Sequence, residues 1–461
     1  MTALAIVVVA AAFGSTLWAG KRSLGAGLVV LFVWGYLFGI LRANLATVFS
    51  HFLFDAALLG LYLGQKKAFS DPKDARRTAT LRMWVAVLML WPALLILMPF
   101  QPLLISLVGF RGCVFFLPLA VLGSRLRDSD NVKLCNGLTC LNLVALGFGV
   151  AEYFQGIEPF YPVNSVTIIM YVSKDVAGGY FRIPGIFSSA HAYGGTMVAS
   201  IPYLVGAWSQ AQTRRSSVFA LIGIGTAFAG VLMSATRVNF VMAVIMVLVT
   251  IWFGRMKSSH RILFAVLIIG MAGMALNNER FQRFKSLGDT DSVEERISGS
   301  VNRGFFEILM EYPIGNGLGG GGTSMPYFLQ NQVRNPIGME NEFARILCEQ
   351  GVIGLMLWLG FLGWFISRAP QVFAKGPWGT GRRMVWAMAI LIFATGAIGT
   401  GVLTAIPGTA MLLLGMGWTS VPMRAEEGGP MRFLRLAKAG ARPAQPLALY
   451  PMPATRPIQH S

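Results

Sequence analysis

Apolar runs of about 20 residues recur along the chain, each ended by a short polar connector. A helix that crosses a bilayer needs a run of that length. The runs fall at residues 2–19, 24–41, 45–64, 82–99, 104–123, 134–154, 188–208, 217–236, 238–254, 261–277, 343–366, 384–402 and 403–420. They predict an all-α, polytopic transmembrane helical bundle of about 12–13 spans, the last two tightly joined. Two long connectors, 155–187 and 278–342, interrupt the rhythm. The organisation that follows is a transmembrane region over 1–277, a large loop over 278–342 and further transmembrane helices over 343–420. The tail, 421–461, is rich in Pro, Ala and Arg and lacks periodicity, so it is expected to be a disordered basic segment touching anionic lipid. There is no internal repeat of the inverted-transporter kind.

Composition agrees with a bilayer setting. Of 461 residues, 55% are hydrophobic and 13% charged, whereas soluble domains average about 25% charged. A single soluble core cannot hide so much apolar surface. The formal charge of +18 and pI near 10.2 would suggest nucleic acid in a soluble protein. Here the positive residues sit in every second connector and act as topology signals, so no nucleic-acid partner is expected. The basic connectors hold Lys21-Arg22; Lys66, Lys67, Lys73, Arg76 and Arg77; Arg125, Arg127 and Lys133; Arg214-Arg215; Arg255, Lys257 and Arg261; and Arg368, Lys375, Arg382 and Arg383. One alternation puts all of these in the cytoplasm. It puts the amino terminus and both long loops outside, in the periplasm of a Gram-negative cell, so the chain is expected in the inner membrane. The four cysteines, Cys113, Cys135, Cys140 and Cys348, form no CxxC pair and indicate neither a disulfide framework nor a zinc site. The first run lacks a positive flank before it and precedes Lys21-Arg22, so it is expected to be a span rather than a cleaved signal.

Candidate chemistry collects at the outer face. Arg182-Ile-Pro-Gly185-Ile-Phe187-Ser-Ser-Ala-His191 closes the first long loop. Arg182 is either a bidentate phosphate clamp or a snorkelling interfacial anchor. His191 suits a hydrogen-bonded structural role. Ser234-Ala-Thr236-Arg237-Val-Asn239 joins two spans almost without a loop. An arginine so close to lipid needs an anion or a polar partner. The large loop holds Arg296, Arg303 and the run Glu311-Tyr-Pro313-Ile-Gly315-Asn-Gly317-Leu-Gly319-Gly-Gly-Gly322. Gly315, Gly317 and Gly320 fit GxGxxG, but no strand precedes them and no βαβ unit follows. The plain reading is a flexible turn that lets backbone approach a ligand or another loop. Glu340-Asn341-Glu342 opens the next span, where carboxylates meet the helix dipole favourably or, at a lipid boundary, serve as a general base. His51 and Asp55 are spaced to share one helix face, as a proton relay, a polar wall or a structural bond between helices. Arg111 lies in another outer-half span.

Over residues 170–366 this pattern resembles the O-antigen ligase and Wzy-type polysaccharide polymerase superfamily. Arg182-Ile-Pro-Gly-Ile-Phe looks like the Arg-x-x-Gly-x-Phe segment before a span. Ser234-Ala-Thr-Arg237 looks like the Ser-Arg pair at a tight outer turn. Arg296-Ile with Tyr312-Pro-Ile-Gly-Asn-Gly looks like the large-loop arginine and Pro-x-Gly-x-Gly. Glu340-Asn-Glu-Phe through Glu349-Gln-Gly-Val-Ile-Gly looks like the re-entry motif.

The resemblance implies a GT-C-like fold and an inverting glycosyltransferase whose donor is a glycan on a polyprenyl diphosphate, such as undecaprenyl diphosphate. Arg182, Arg237 and Arg296 would hold the diphosphate. Glu340 would be the base, in the position where many members carry a histidine. His191, Arg303, Asn341 and Glu342 would contact substrate, with Glu342 also an alternative base. No cofactor or metal is called for. The acceptor is expected to be another lipid-linked repeat, which makes a polymerase of exopolysaccharide or O-antigen acting beside membrane lipid with partners in a polysaccharide export system. The alternatives are a ligase that transfers glycan to lipid A core or another acceptor, and a flippase or transporter of lipid-linked oligosaccharide, for which the His51 and Asp55 pair is the main sign.

Overall fold

A computed structural model describes residues 1–66, 72–172, 181–253, 305–322, 325–339 and 341–422, together with positions 270 and 273. Helices make up the regular structure, and no strand occurs among the described residues. The main ones are α1 (Thr2–Arg22), α2 (Leu24–Leu45), α3 (Leu53–Gly64), α4 (Ala79–Leu95), α5 (Leu103–Val114), α6 (Pro118–Gly123), α7 (Asp128–Gln155), α8 (Ala190–Gln210), α9 (Arg214–Met233), α10 (Arg237–Phe253), α11 (Glu342–Ile366), α12 (Gly379–Thr395) and α13 (Gly408–Ser420). Polar residues set several starts. Ser23, Ser189 and Thr213 accept backbone N–H groups from Ala26, Ala192 and Ser216 and so begin α2, α8 and α9. Within the apolar runs, helix is the form that satisfies every backbone group where water is absent.

Among the described residues, six stretches are long and apolar enough to cross a membrane: Thr2–Arg22, Leu24–Leu45, Leu103–Gly123, Asp128–Gln155, Arg214–Met233 and Glu342–Phe373. The chain is an all-α polytopic membrane protein. Several expected runs are shorter than their hydropathy suggested. The run at 45–64 begins as a 3-10 turn, Val48–Phe52, and becomes α-helical only at Leu53. The two closely joined runs near the end part at residues 396–407, which leave helix altogether. The backbone there serves another element: the carbonyls of Gly396 and Gly399 accept the Glu342 N–H at 2.8 and 3.1 Å. Run 261–277, apart from positions 270 and 273, and the tail from 423 lie outside the described residues, as does most of the large loop's first half.

Helices meet through glycine. A Cβ on Gly417 would fall 1.8 Å from the Ala120 carbonyl oxygen, and one on Gly123 2.0 Å from that of Leu414, so α6 and α13 touch backbone to backbone. A buried polar ladder crosses the bundle from α2 through α7 to α8. Tyr36 donates to Asn142 at 2.7 Å, and Asn142 donates to Ser200 at 3.0 Å.

The connectors sort into two sets. At one end Asp130 accepts the Gly25 N–H, Lys133 donates to Ser23, Gln65 to Gly20, Arg77 to Ser124, and Arg382 to the carbonyls of Trp418, Thr419 and Val421. At the other, Asn44 donates to Phe160, Gln101 to Asn316 and Arg334, Asn239 to His191, and the Gly401 N–H to Glu342. The first set is the basic one.

Candidate functional site

The second end holds the motifs singled out in the sequence. Segment 182–189 is clamped from three sides. Glu152, near the end of α7 and 1% exposed, accepts the Gly185 N–H at 2.9 Å. Tyr161 donates to the carbonyls of Gly185 and Phe187 at 2.6 and 2.9 Å. Burial, and then the Glu152 carboxylate, push the Tyr161 phenol well above its ordinary range, so it stays a donor. On the third side, the Ile40 N–H of α2 donates to Ile186 at 3.1 Å. Gly185 takes φ +58°, the left-handed bend that swings the chain toward the Ser189 cap of α8. The clamp presents Arg182 Nη1 3.4 Å from Nε2 of the exposed His191.

The turn between α9 and α10 closes on the same place. Ser234 and Thr236 share a hydroxyl hydrogen bond of 2.9 Å, and Asn239 donates to Thr236 at 2.8 Å and to the His191 carbonyl at 3.3 Å. Gly194 of α8 lets this turn approach, because a Cβ there would lie 2.4–2.7 Å from Ser234 Oγ, Thr236 Oγ1 and Asn239 Nδ2. Arg237 is half-buried at the amino end of α10. A cation there opposes the helix dipole. Its guanidinium has no hydrogen-bond or ion-pair partner among the described residues, and its Nε is buried. Two positive features therefore meet at one spot, which is the electrostatics of an anion site.

The re-entry segment is built differently. Asn341 caps α11, accepting the Phe343 and Ala344 N–H groups at 2.9 and 3.1 Å. Glu342 and Glu349 grip Arg345 from either side at 2.6 and 2.7 Å, all three at most 1% exposed. Glu342 also accepts the N–H groups of Gly401 at 2.8 Å and Leu403 at 3.3 Å. These contacts occupy Glu342 with structure. Helix α11 breaks at Gly351, φ +68°, where the Pro313 carbonyl accepts the Val352 N–H at 2.9 Å and the Cys348 carbonyl accepts the Asn316 N–H at 2.6 Å. The glycine run thus packs against protein backbone: Gly315, Gly317 and Gly319 all take positive φ, and a Cβ on Gly109 of α5 would lie 2.2 Å from the Gly319 nitrogen.

Among the expected site residues, the structure brings together Arg182, His191 and the turn that bears Arg237. Arg296, Arg303 and Glu340 lie outside the described residues. His51 and Asp55 do not share an α-helical face, because His51 sits in the 3-10 turn before α3. Asp55 instead pairs with Arg111 through two bonds of 2.8 and 2.5 Å. Glu152 and Tyr161 were missed by the sequence reading. A glutamate in the apolar run 134–154 was the available signal for the first.

A polytopic helical membrane protein with cationic motifs gathered at one end is the class these features define. Residues 220–359 match the O-Antigen ligase family model (Wzy_C), which supports the O-antigen ligase/Wzy superfamily for this chain. The matched stretch runs from α9 through the Arg237 turn to the middle of α11. No curated protein matches the chain.

Proposed function

We propose that the protein transfers a glycan from a polyprenyl diphosphate to an acceptor hydroxyl at the end of the bundle that bears Arg182 and Arg237, facing the periplasm from the inner membrane. The observation behind this reading is the meeting of Arg182, His191 and the Arg237 turn, with Arg237 lacking an anionic partner among the described residues. Guanidinium groups suit a diphosphate because their forked donors match its oxygens. They also bind it more tightly as charge grows on it during bond cleavage, which lowers the barrier.

The step is a displacement at the anomeric carbon. The acceptor oxygen forms the new glycosidic bond while the bond to the diphosphate oxygen breaks, with inversion. The acceptor proton passes to a base, for which Glu340 is the candidate. Arg296 and Arg303 are candidates for further phosphate contacts. Asn341 and Glu342 would position the re-entry helix beside the substrate. The acceptor proposed is a further lipid-linked repeat, so that chains of exopolysaccharide or O-antigen grow. The family model's own description, O-Antigen ligase, favours a second reading in which lipid A core is the acceptor. The transporter reading has lost the pairing that suggested it, since Asp55 is held by Arg111.

Reconstitution with labelled lipid-linked repeats tests the proposal. A ladder of longer glycans with release of polyprenyl diphosphate is expected. Movement of the labelled lipid across the bilayer with no glycan transfer would contradict it. Adding lipid A core and finding label on it, with no ladder, would select the ligase.

A further inference from the structure

A second cationic group lies on α2, which packs on the segment that leads into α8. On α2, Gly35, Gly39 and Arg42 follow at helical spacing and share one face. That face lies on the clamped segment, since a Cβ on Gly39 would fall 2.0 Å from the Phe187 carbonyl carbon. Arg42 is one turn further toward the same end. Its Nε is buried and has no hydrogen-bond partner among the described residues, and its guanidinium lies 5.8 Å from the Phe38 ring. The 3-10 turn brings in His51, 5% exposed, whose Nε2 is likewise buried without a partner. The His51 ring rests against Tyr327 at 5.6 Å and Phe328 at 5.4 Å, and its charged neighbours are Arg42 and Arg111. Asp55 neutralises Arg111, which leaves Arg42 as an uncompensated cation beside a buried imidazole nitrogen. A half-buried cation with no acidic neighbour at a membrane boundary is suited to hold an anion.

The number of anion sites bears on the acceptor. Joining two diphosphate-linked glycans requires two diphosphates to be held at once. Several sugars separate the acceptor's diphosphate from its attacking hydroxyl, so the second anion site belongs apart from the first, at the same end of the bundle. We propose that Arg42, with His51, holds the diphosphate of a second polyprenyl-linked glycan, the acceptor. This deepens the transferase reading and rests on Arg182 and Arg237 serving the donor.

The test counts bound lipid by native mass spectrometry of the full chain in detergent, with sugar-free undecaprenyl diphosphate as the probe. Wild type should saturate at two lipids, and Arg42→Gln and Arg237→Gln at one each. Arg42→Lys, which keeps charge and bulk, should weaken the second lipid about tenfold and leave the first unchanged. Wild type saturating at one lipid, Arg42→Gln still holding two, or equal affinities in Arg42→Lys would each overturn the proposal. Loss of one lipid in Arg42→Gln with none lost in Arg237→Gln would uphold the second site and reject the donor site instead. Phosphatidylglycerol serves as a separate probe. Binding of it that falls with Arg42→Gln would assign the cluster to membrane headgroups and overturn the acceptor reading.

Discussion

Arg345 and Arg237 lie at the same end of the bundle, on helices that begin there, yet they are handled in opposite ways. Arg345 is enclosed, and both sides of its guanidinium meet carboxylates. Arg237 is half-buried at the amino end of its helix and meets none among the described residues. The first arrangement costs desolvation of three charges and offsets it with short, geometrically complete pairs. The second leaves the pairing to something that arrives. An arginine whose partners are all within the chain holds the fold, and one whose partners are missing is poised for a ligand. The same contrast separates Glu342, which is fully engaged, from the clamp at Glu152, whose single bond to Gly185 aims the Arg182 segment.

The contrast can be broken by substitution. Arg345→Met should have the largest effect on stability, about 3–5 kcal/mol, because it leaves two buried carboxylates without their cation. Thermal melting in detergent, or failure to recover monodisperse protein, measures it; an unchanged melting temperature would mean the trio is not structural. Gly351→Ala comes next, at about 2–4 kcal/mol, since a side chain must adopt positive φ and crowd backbone. Its Cβ would fall 2.5 Å from the Ile314 carbonyl oxygen. The same melting experiment checks it. Glu152→Ala should cost about 1–3 kcal/mol for the orphaned Gly185 N–H. Unlike the other two, it should also lower glycan transfer in the folded fraction, because the segment that presents Arg182 loosens. Transfer rates normalised to folded protein would show whether it does.

Much of the fold was legible because lipid makes severe demands on sequence. Run length set the helices, and the basic connectors foretold which connectors would meet. The motifs of Arg182 and Arg237 were legible because each falls where a run begins, so hydropathy alone locates them at a helix end. What was not legible depended on facing. Helical spacing puts Arg42 on the side of Gly39, but nothing in the run 24–41 says that this side packs on Phe187. His51 and Asp55 were read as one helical pair because hydropathy does not distinguish a 3-10 turn from α-helix. The segment 396–407 is apolar enough to extend a span, yet its carbonyls and amides cap α11 instead, a demand set by residues more than 50 positions away. Hydropathy likewise carries no trace of the break at Gly351, which exists to receive Pro313 and Asn316.

The central claim is that Arg237 awaits a diphosphate and does not support the fold. The most direct measurement is the initial rate of polyprenyl diphosphate release by Arg237→Ala in proteoliposomes, taken beside its melting temperature. A rate lowered about 10²–10³-fold with a melting temperature within about 2 °C of wild type is predicted. A wild-type rate would contradict the claim, and so would a loss of activity that merely tracks unfolding.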